Sequence, residues 1–412
     1  MVYKGEMYYA WAADRSIRVS AHNGGLITSL LFYLLDTQRI DAAVVMREGT
    51  DVYEALPAVI TSAEDLGGTA GTFIAGGEIL APLVAQYFVQ YPEHKVAAVC
   101  KGCDAKSIYE LMKRKRIPPD NIILIGVTCS GTFSPVLLDQ FVQNQWGLSP
   151  QDVTWIGTHH GRLVVKGLDD GEEKQYAIAL TDAQERGLAI HDWCMRCDTY
   201  MPRQCDIICG SLGVFGKFAG FVTFVEICTD KGANILTQAD TDRAIWLVAP
   251  EREGIDERET VAQERLNIAI QNRDAQFENL GKKRQRLETI MHETTRCIRC
   301  GQCIQACPLC VCRECSTKKE WLVVPDEVPP PFMYHLIRFS HVADSCVNCG
   351  QCELRCPADI PNSLFMHAAQ LELEHMFGYR PGTAKGMPQL SKLYERDCRE
   401  YHAVAEKKSK KK

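Results

Sequence analysis

No uninterrupted apolar stretch in the 412 residues approaches the length of a membrane span; the best candidate, residues 214–227, is broken by Lys217 and Glu226. Basic charge is not in excess. The 46 Lys and Arg stand against 52 Asp and Glu, a formal charge of −6, so nothing points to a nucleic-acid partner. Residues 1–15 have no apolar core behind a basic start, so no secretory signal is expected there. Nucleotide fingerprints are missing as well. G-x-G-x-x-G does not occur, which leaves a Rossmann nicotinamide site without support. The glycine-rich stretch Gly210-Ser-Leu-Gly213-Val-Phe-Gly216-Lys217 fails P-loop spacing and has Phe218 where Ser or Thr is required. The remaining composition, 46% hydrophobic and 24% charged, is that of an ordinary soluble protein long enough for two or three domains.

Cysteine is what the chain has in plenty. Twenty cysteines without a secretory signal imply a reducing cytoplasm and metal-bound thiolates. Near the C-terminus Cys297-x2-Cys300-x2-Cys303-x3-Cys307-Pro308 recurs as Cys346-x2-Cys349-x2-Cys352-x3-Cys356-Pro357. Three thiolates at this spacing reach three corners of one cubane, and the fourth, followed by a helix-stopping proline, ligates the other. The expected sets are Cys297, Cys300, Cys303 with Cys356, and Cys346, Cys349, Cys352 with Cys307. Structural zinc uses two Cys-x2-Cys knuckles set further apart, and disulfides belong to secreted chains. The chain is therefore expected to move single electrons. Between the runs, Cys310, Cys312 and Cys315 are either ligands, an additional metal site or free thiols.

The first two thirds read as α/β. A His22-Asn23-Gly24-Gly25 turn leads into a helix over 26–35 and a strand over 40–46. Further strands are expected over 95–100, 121–128 and 220–227, with helices over 104–116, N-capped by Asp104, and over 135–146. Alternating buried strands and helices predict a mostly parallel sheet covered by helices. Cys103 and Cys129 fall just past strand ends, the edge where open α/β sheets bind ligands. Cys194-x2-Cys197, with Cys205 and Cys209 behind it, combines with Cys129 as a candidate third cluster site. Residues 250–292 are charged and helix-forming, a connector with one or two amphipathic helices. The expected domains are 1–249, that connector, a two-cluster domain over 293–375 and a tail over 376–412, whose lysines at 407–412 read as a solvated end.

Clusters take one electron at a time, whereas most metabolic donors deliver a hydride. A flavin joins the two, so the α/β part is expected to carry one. Asn23-Gly24-Gly25 opens a helix whose free N–H groups favour a phosphate, and Gly67-Gly-Thr-Ala-Gly71-Thr72 repeats the theme.

Together, Asn23-Gly24-Gly25-x2-Thr28, Gly71-Thr72, Cys103, Gly126-Val-Thr-Cys129, Cys194-x2-Cys197-Asp198 and Asp206-x3-Gly210-Ser211-x-Gly213 resemble the coenzyme F420 hydrogenase/dehydrogenase beta-subunit family over roughly residues 15–245. The resemblance implies a fold that binds FAD and a [4Fe–4S] cluster and exchanges hydride with coenzyme F420. The ferredoxin-like domain placed behind, extended through Cys307 to Cys315, looks like formate dehydrogenase members of methanogenic archaea. By carry-over, Asn23, Gly24, Gly25, Thr28, Gly71 and Thr72 line the FAD. Cys129, Cys194 and Cys197 ligate the front cluster, with Cys103 or Cys205 as the fourth ligand. Gly210, Ser211, Gly213 and Lys217 are further cofactor contacts, and Arg196, Arg203 and Lys217 are candidates for the polyanionic F420 tail. Thr72-Phe73, Glu226 and Cys228 depart from the family pattern, and with them the flavin and F420 phosphate contacts.

The fold class expected is an α/β flavin/F420-binding domain with a mostly parallel sheet, a helical linker and a C-terminal 2[4Fe–4S] ferredoxin-like domain. The implied function is that of a cytoplasmic oxidoreductase beta subunit with three [4Fe–4S] clusters, FAD and F420 as substrate. A partner alpha subunit with a molybdenum or tungsten pterin would oxidise formate, and a heterodisulfide reductase complex is a further partner. Two rivals stand beside it: an F420H2-oxidising input module for a hydrogenase or heterodisulfide reductase, and a non-catalytic iron–sulfur adaptor.

Overall fold

The computed structural model describes residues 1–390 except 22, 70, 72, 160, 313, 314, 321 and 322, and leaves out the side chain of Lys283. His22, Thr72 and the lysine-rich end at 407–412 thus lie outside the described residues. The chain divides into two compact units, Met1–Ala105 with Arg116–Arg273, and Lys106–Lys115 with residues from Asp274 onward. The charged stretch read as a connector is therefore shared out between them at residue 273.

The strands are β1 (Met7–Ala12), β2 (Ala42–Glu48), β3 (Ala55–Ile60), β4 (Val96–Cys100), β5 (Ile122–Val127), β6 (Val153–His159), β7 (Arg162–Asp169), β8 (Glu172–Ala179), β9 (Ile207–Gly210), β10 (Thr223–Ile227) and β11 (Ile245–Val248). The helices are α1 (Arg15–Ser20), α2 (Leu26–Asp36), α3 (Ala81–Gln90), α4 (Gly102–Lys113), α5 (Pro135–Trp146), α6 (Leu180–Glu185), α7 (Asp192–Met195), α8 (Asp230–Thr241), α9 (Arg252–Glu278), α10 (Lys283–Thr294), α11 (Gln302–Gln305), α12 (Phe332–Val342), α13 (Gln351–Leu354) and α14 (Asn362–Phe377).

In the first unit, eight strands form one sheet in the order β11-β1-β10-β9-β5-β4-β2-β3. Its centre is parallel: β2 pairs with β4, β4 with β5, and β5 with β9. These strands are covered on both faces, so they are apolar without alternation, as in Ala42, Ala43, Val44 and Val45. Leu26, Leu30 and Leu34 recur every fourth residue on α2 and join Val45, Ala97, Ile125 and Ile207 in the main core. The outer strands are antiparallel: β10 against β9, β1 against β10 and β11 against β1. The ends of β1, β4, β5 and β9 and the start of β10 consequently share one edge of the sheet, and Cys103, Cys129 and the Asn23-Gly24-Gly25 turn lie in the segments beyond it.

Three local expectations change. The helix expected from residue 104 starts at Gly102, and Asp104 is not its cap. Its carboxylate is fully buried and accepts the backbone N–H groups of Leu80 and Lys101, tying the loop before α3 to α4. The strand expected from residue 220 begins at Thr223, because Gly220 (φ +79°) turns the chain first. The strand expected over 40–46 lies over Ala42–Glu48, since Asp41 is held outside it by the backbone of Lys95.

A second, antiparallel sheet, β6-β7-β8, adds to the elements expected. Asp170 and Gly171, both at positive φ (53° and 80°), make the two-residue turn between β7 and β8, the conformation that hairpin twist selects. Its buried Leu163, Val165 and Ile178 pack with Phe141 and Val142 of α5.

The second unit is built on α10, α12 and α14 around a small core of Phe277, Leu280, Ile360, Phe365 and Ala368. The two cysteine runs fold alike. Arg299 and Asn348 both adopt positive φ (57° and 54°), and Gly301 and Gly350 follow at 74° and 76°, each immediately before a one-turn helix, α11 or α13. The sequence repeat is a conformational repeat.

Candidate functional site: cysteine clusters and a strand-edge loop set

Two cavities in the second unit are each walled by four cysteines. One is lined by Cys297, Cys300, Cys303 and Cys356, with Ile298, Tyr334 and Asn362 among the other walls. The other is lined by Cys346, Cys349, Cys352 and Cys307, with Arg338 and Met366. Each run therefore supplies three thiols to its own cavity and the fourth to its neighbour's, as the spacing predicts. Burial raises the thiols of Cys297 and Cys303, and pushes Cys352 up to about 12. A bare thiolate is costly there, whereas a bound metal ion offsets the charge and deprotonates the thiol outright. The cavities, their donor set and their buried thiols fit iron–sulfur cubanes. Among the described residues no three His, Cys, Asp or Glu side chains close in on a single ion. Cys300 is exposed, so one wall of the first cavity meets solvent.

In the insert, Cys310 is pushed up to about 12, first by burial and then by Cys307, Cys312 and Cys315. The Cys315 thiol lies 2.8 Å from the Thr317 hydroxyl.

A second cysteine group forms at the sheet edge of the first unit. Cys103 lies in the first turn of α4, Cys129 follows β5, and Cys194 and Cys197 lie in and just after α7. Glycines allow the approach. A side chain on Gly102 would stand 2.2 Å from the Thr199 carbonyl oxygen, and one on Gly131 3.2 Å from Cβ of Cys194. The Cys129 N–H donates to the Tyr200 carbonyl, closing the loop after α7 onto the end of β5. Burial pushes Cys194 up to about 11, with Cys129 the next cause. Burial also raises Cys103, which faces Asp104, Cys129 and Cys197. Lys101 adds a cation to the group; its ammonium donates to the Glu78 carbonyl and lies within reach of Cys103, Cys129 and Cys194. Cys205, the alternative fourth member, is fully buried elsewhere, beside Asp206, Cys228, Asp104 and Cys209. The structure thus gathers Cys103, Cys129, Cys194 and Cys197, and leaves Cys205 buried in the loop before β9 and Cys209 within β9.

The glycine-rich candidates divide. Asn23, Gly24 and Gly25 all have positive φ (48°, 79° and 68°), and Gly25 caps α2 without any side-chain acceptor. The first-turn N–H groups of α2, including that of half-buried Thr28, lie at a positive helix end. Gly24 has a further duty: a side chain there would stand 2.2 Å from the Phe221 carbonyl oxygen. The Thr223 hydroxyl donates to the Asn23 carbonyl and anchors the turn to β10. A side chain on Gly71 (φ +150°) would stand 3.7 Å from the Phe73 ring. Gly210 ends β9 against Thr128, and half-buried Ser211 follows. Gly213 is committed to packing. Its N–H donates to Glu257, its carbonyl accepts from the Tyr9 hydroxyl, and its Cα is pressed against the Gly254 backbone of α9.

Of the basic candidates for an anionic tail, Lys217 is exposed, its ammonium 5.1 Å from the Phe218 ring centre. Arg196 is instead buried at 2% exposure, and Arg203 is ion-paired with Glu226 and Glu259. Sequence reasoning missed Arg258, which is fully buried over the Phe224 ring, 3.7 Å from a Glu226 carboxylate oxygen. Nothing local marks it: α9 is charged all round rather than amphipathic as expected, and Arg258 is one of several arginines in the run. Among the described residues no helix is long and apolar enough to cross a membrane.

Comparison with known proteins agrees with this geometry. Residues 7–83 match "Coenzyme F420 hydrogenase/dehydrogenase, beta subunit N-term", residues 93–253 the C-terminal part of the same subunit, and residues 296–360 a "4Fe-4S dicluster domain". The chain is 35% identical to F420-dependent formate dehydrogenase 1 subunit beta of Methanococcus maripaludis over 383 residues, covering 93% of this chain and 97% of that one. It is 34% identical to F420-dependent formate dehydrogenase subunit beta of Methanocaldococcus jannaschii, with 92% and 97% covered. In structure it resembles a chain of the F420-reducing [NiFe] hydrogenase complex from Methanosarcina barkeri, with TM-score 0.58 and 20% identity, covering 67% of this chain and 93% of that one. That last likeness establishes the shared α/β fold, and the end-to-end identities establish kinship: the chain belongs to the coenzyme F420 hydrogenase/dehydrogenase beta-subunit family and carries a C-terminal 4Fe–4S dicluster domain.

Proposed function

We propose that this chain is the iron–sulfur flavoprotein beta subunit of an F420-dependent formate dehydrogenase, an oxidoreductase in which electrons from formate oxidation on a partner alpha subunit reach coenzyme F420. The observation that carries the reading is one chain holding both the two four-cysteine cavities and a cysteine group at the ligand-binding edge of an α/β sheet. End-to-end similarity to two formate dehydrogenase beta subunits supports the choice of donor.

In this reading Cys297, Cys300, Cys303 and Cys356 hold one [4Fe–4S] cluster, and Cys346, Cys349, Cys352 and Cys307 the second. Cys103, Cys129, Cys194 and Cys197 hold a third at the sheet edge. FAD, when bound, supplies the exchange between single electrons and a hydride. The N-terminus of α2 after Asn23-Gly24-Gly25 receives its phosphate, and family carry-over adds Thr28, Gly71 and Thr72 as further contacts. Lys217, exposed past β9, is the basic residue left to meet the anionic tail of F420. Exposed Cys300 makes its cluster the port to the alpha subunit, which carries a molybdenum or tungsten pterin. The complex works in the cytoplasm, alone or docked to a heterodisulfide reductase, and runs in either direction.

The test is chemical reduction of the anaerobically prepared chain, followed by F420 in one cuvette and a nicotinamide in another. Bleaching of F420 alone is expected. Turnover of the nicotinamide with F420 untouched would sink the assignment, and co-purification with a hydrogenase rather than a pterin subunit would change the donor.

A further inference from the structure

We infer that Arg338 is a positioning residue common to both C-terminal cysteine cavities, a buried cation that raises the reduction potentials of the two clusters together. The inference rests on the cluster assignment proposed above. Arg338 lies in α12 at 5% exposure. One guanidinium nitrogen donates to the Asn362 side-chain oxygen at 3.2 Å, and the other to the Cys303 carbonyl at 3.1 Å. A further hydrogen bond reaches the side chain of Cys352. Its contacts therefore span the two sites: Cys303 and Asn362 line the first cavity, while Cys352 and Arg338 itself line the second.

A guanidinium stays charged at any accessible pH and is costly to bury without compensating anions. The negative groups facing Arg338 are thiolates, those of Cys352, Cys303 and Cys307. Two belong to the second cavity and one to the first. Reduction adds an electron to a site already negative, and a fixed cation in a poorly solvated interior favours that step. The N–H···S bond to Cys352 acts in the same direction by drawing charge from the ligand sulfur. Both potentials are raised, and the Cys346–Cys356 run's own cluster is raised more. Neither feature is visible in the cysteine spacing, because Arg338 comes from the insert between the runs.

The experiment is an EPR-monitored redox titration of the full chain, comparing parent, Arg338→Gln and Arg338→Lys, with iron and sulfide counted for each. In R338Q the one-electron reduction of the cluster on Cys346, Cys349 and Cys352 is expected to become about tenfold less favourable, roughly 59 mV more negative. The cluster on Cys297, Cys300 and Cys303 should move the same way by less. In R338K the first-cavity cluster should return to its parent potential, while the second stays lowered for want of the fork to Cys352. Unmoved potentials in a fully loaded R338Q overturn the inference and leave the cluster assignment standing. If R338Q does not load, R338K decides on the same criterion. Loss of both clusters from both variants makes Arg338 a folding residue and overturns the proposal. A parent chain without these clusters overturns the assignment itself.

Discussion

Replacing Gly24 by Ala separates two duties that this glycine could have at the sheet edge. Gly24 sits at φ +79°, and an added Cβ would stand 2.2 Å from the Phe221 carbonyl oxygen and 2.8 Å from Cβ of Trp11. The left-handed backbone alone costs an alanine roughly 1–2 kcal/mol. Gly147, at the end of α5 with φ +72° and nothing within 4 Å of its added Cβ, carries that cost without a clash. Overpacking against backbone adds roughly 1–3 kcal/mol at Gly24, because Phe221 is held by the start of β10 and cannot step aside freely. One kcal/mol lowers the melting temperature of a unit this size by about 2–4 °C. Gly24→Ala should therefore melt about 2–12 °C below Gly147→Ala when both full-length variants are unfolded anaerobically under far-UV circular dichroism. Flavin content, measured on the same samples, should fall with Gly24→Ala alone. Two variants melting within a degree of each other would refute the close approach, and leave Gly24 as a ligand-facing glycine only.

Other perturbations follow from the same geometry. Cys103→Ser should remove one cluster's worth of iron, whereas Cys205→Ala, at a fully buried thiol beside Asp206, Cys228 and Cys209, should leave the iron count at its parent value; equal losses would return Cys205 to the ligand set. Tyr379→Phe removes a hydroxyl lying 2.7 and 2.8 Å from the two oxygens of fully buried Glu110 and 2.6 Å from the Lys113 ammonium. A loss of about 1–3 kcal/mol in denaturant unfolding is expected, and no loss would place the hydroxyl in water. Burial holds His341 below its ordinary value of 6.5, so it is neutral in the fold while the unfolded imidazole gains a proton first. Its contribution to stability is thus present above about pH 6.5 and falls away as pH is lowered toward the folded value. A urea midpoint that declines over that interval in the parent and flattens in His341→Gln would bear this out; identical slopes would not.

The sequence alone determined the features that depend on neighbours along the chain. The Cys-x2-Cys-x2-Cys loops are legible because three ligands of one cavity lie within seven residues, and their repeat carries repeated backbone angles at Arg299 and Asn348. The long helices α2 and α5 are legible from apolar spacing, and so was the crossover of Cys307 and Cys356, because two equal runs predict it. The β6-β7-β8 sheet is poorly legible because β8 is mostly charged and polar; the Asp170-Gly171 turn between β7 and β8 is its local sign. Only the tertiary structure decided which distant groups converge. Spacing leaves the choice between Cys103 and Cys205 open even though Cys103 matches the family position, and the fold turns Cys103 toward Cys129 while it buries Cys205 in the loop before β9. The same holds for Gly213, held by α9, for Asp104, taken by the backbone before α3, and for Arg338 beside two cavities. Local spacing encodes who sits together within a loop; burial and long-range contact, set by the packing of the whole unit, decide what meets across it.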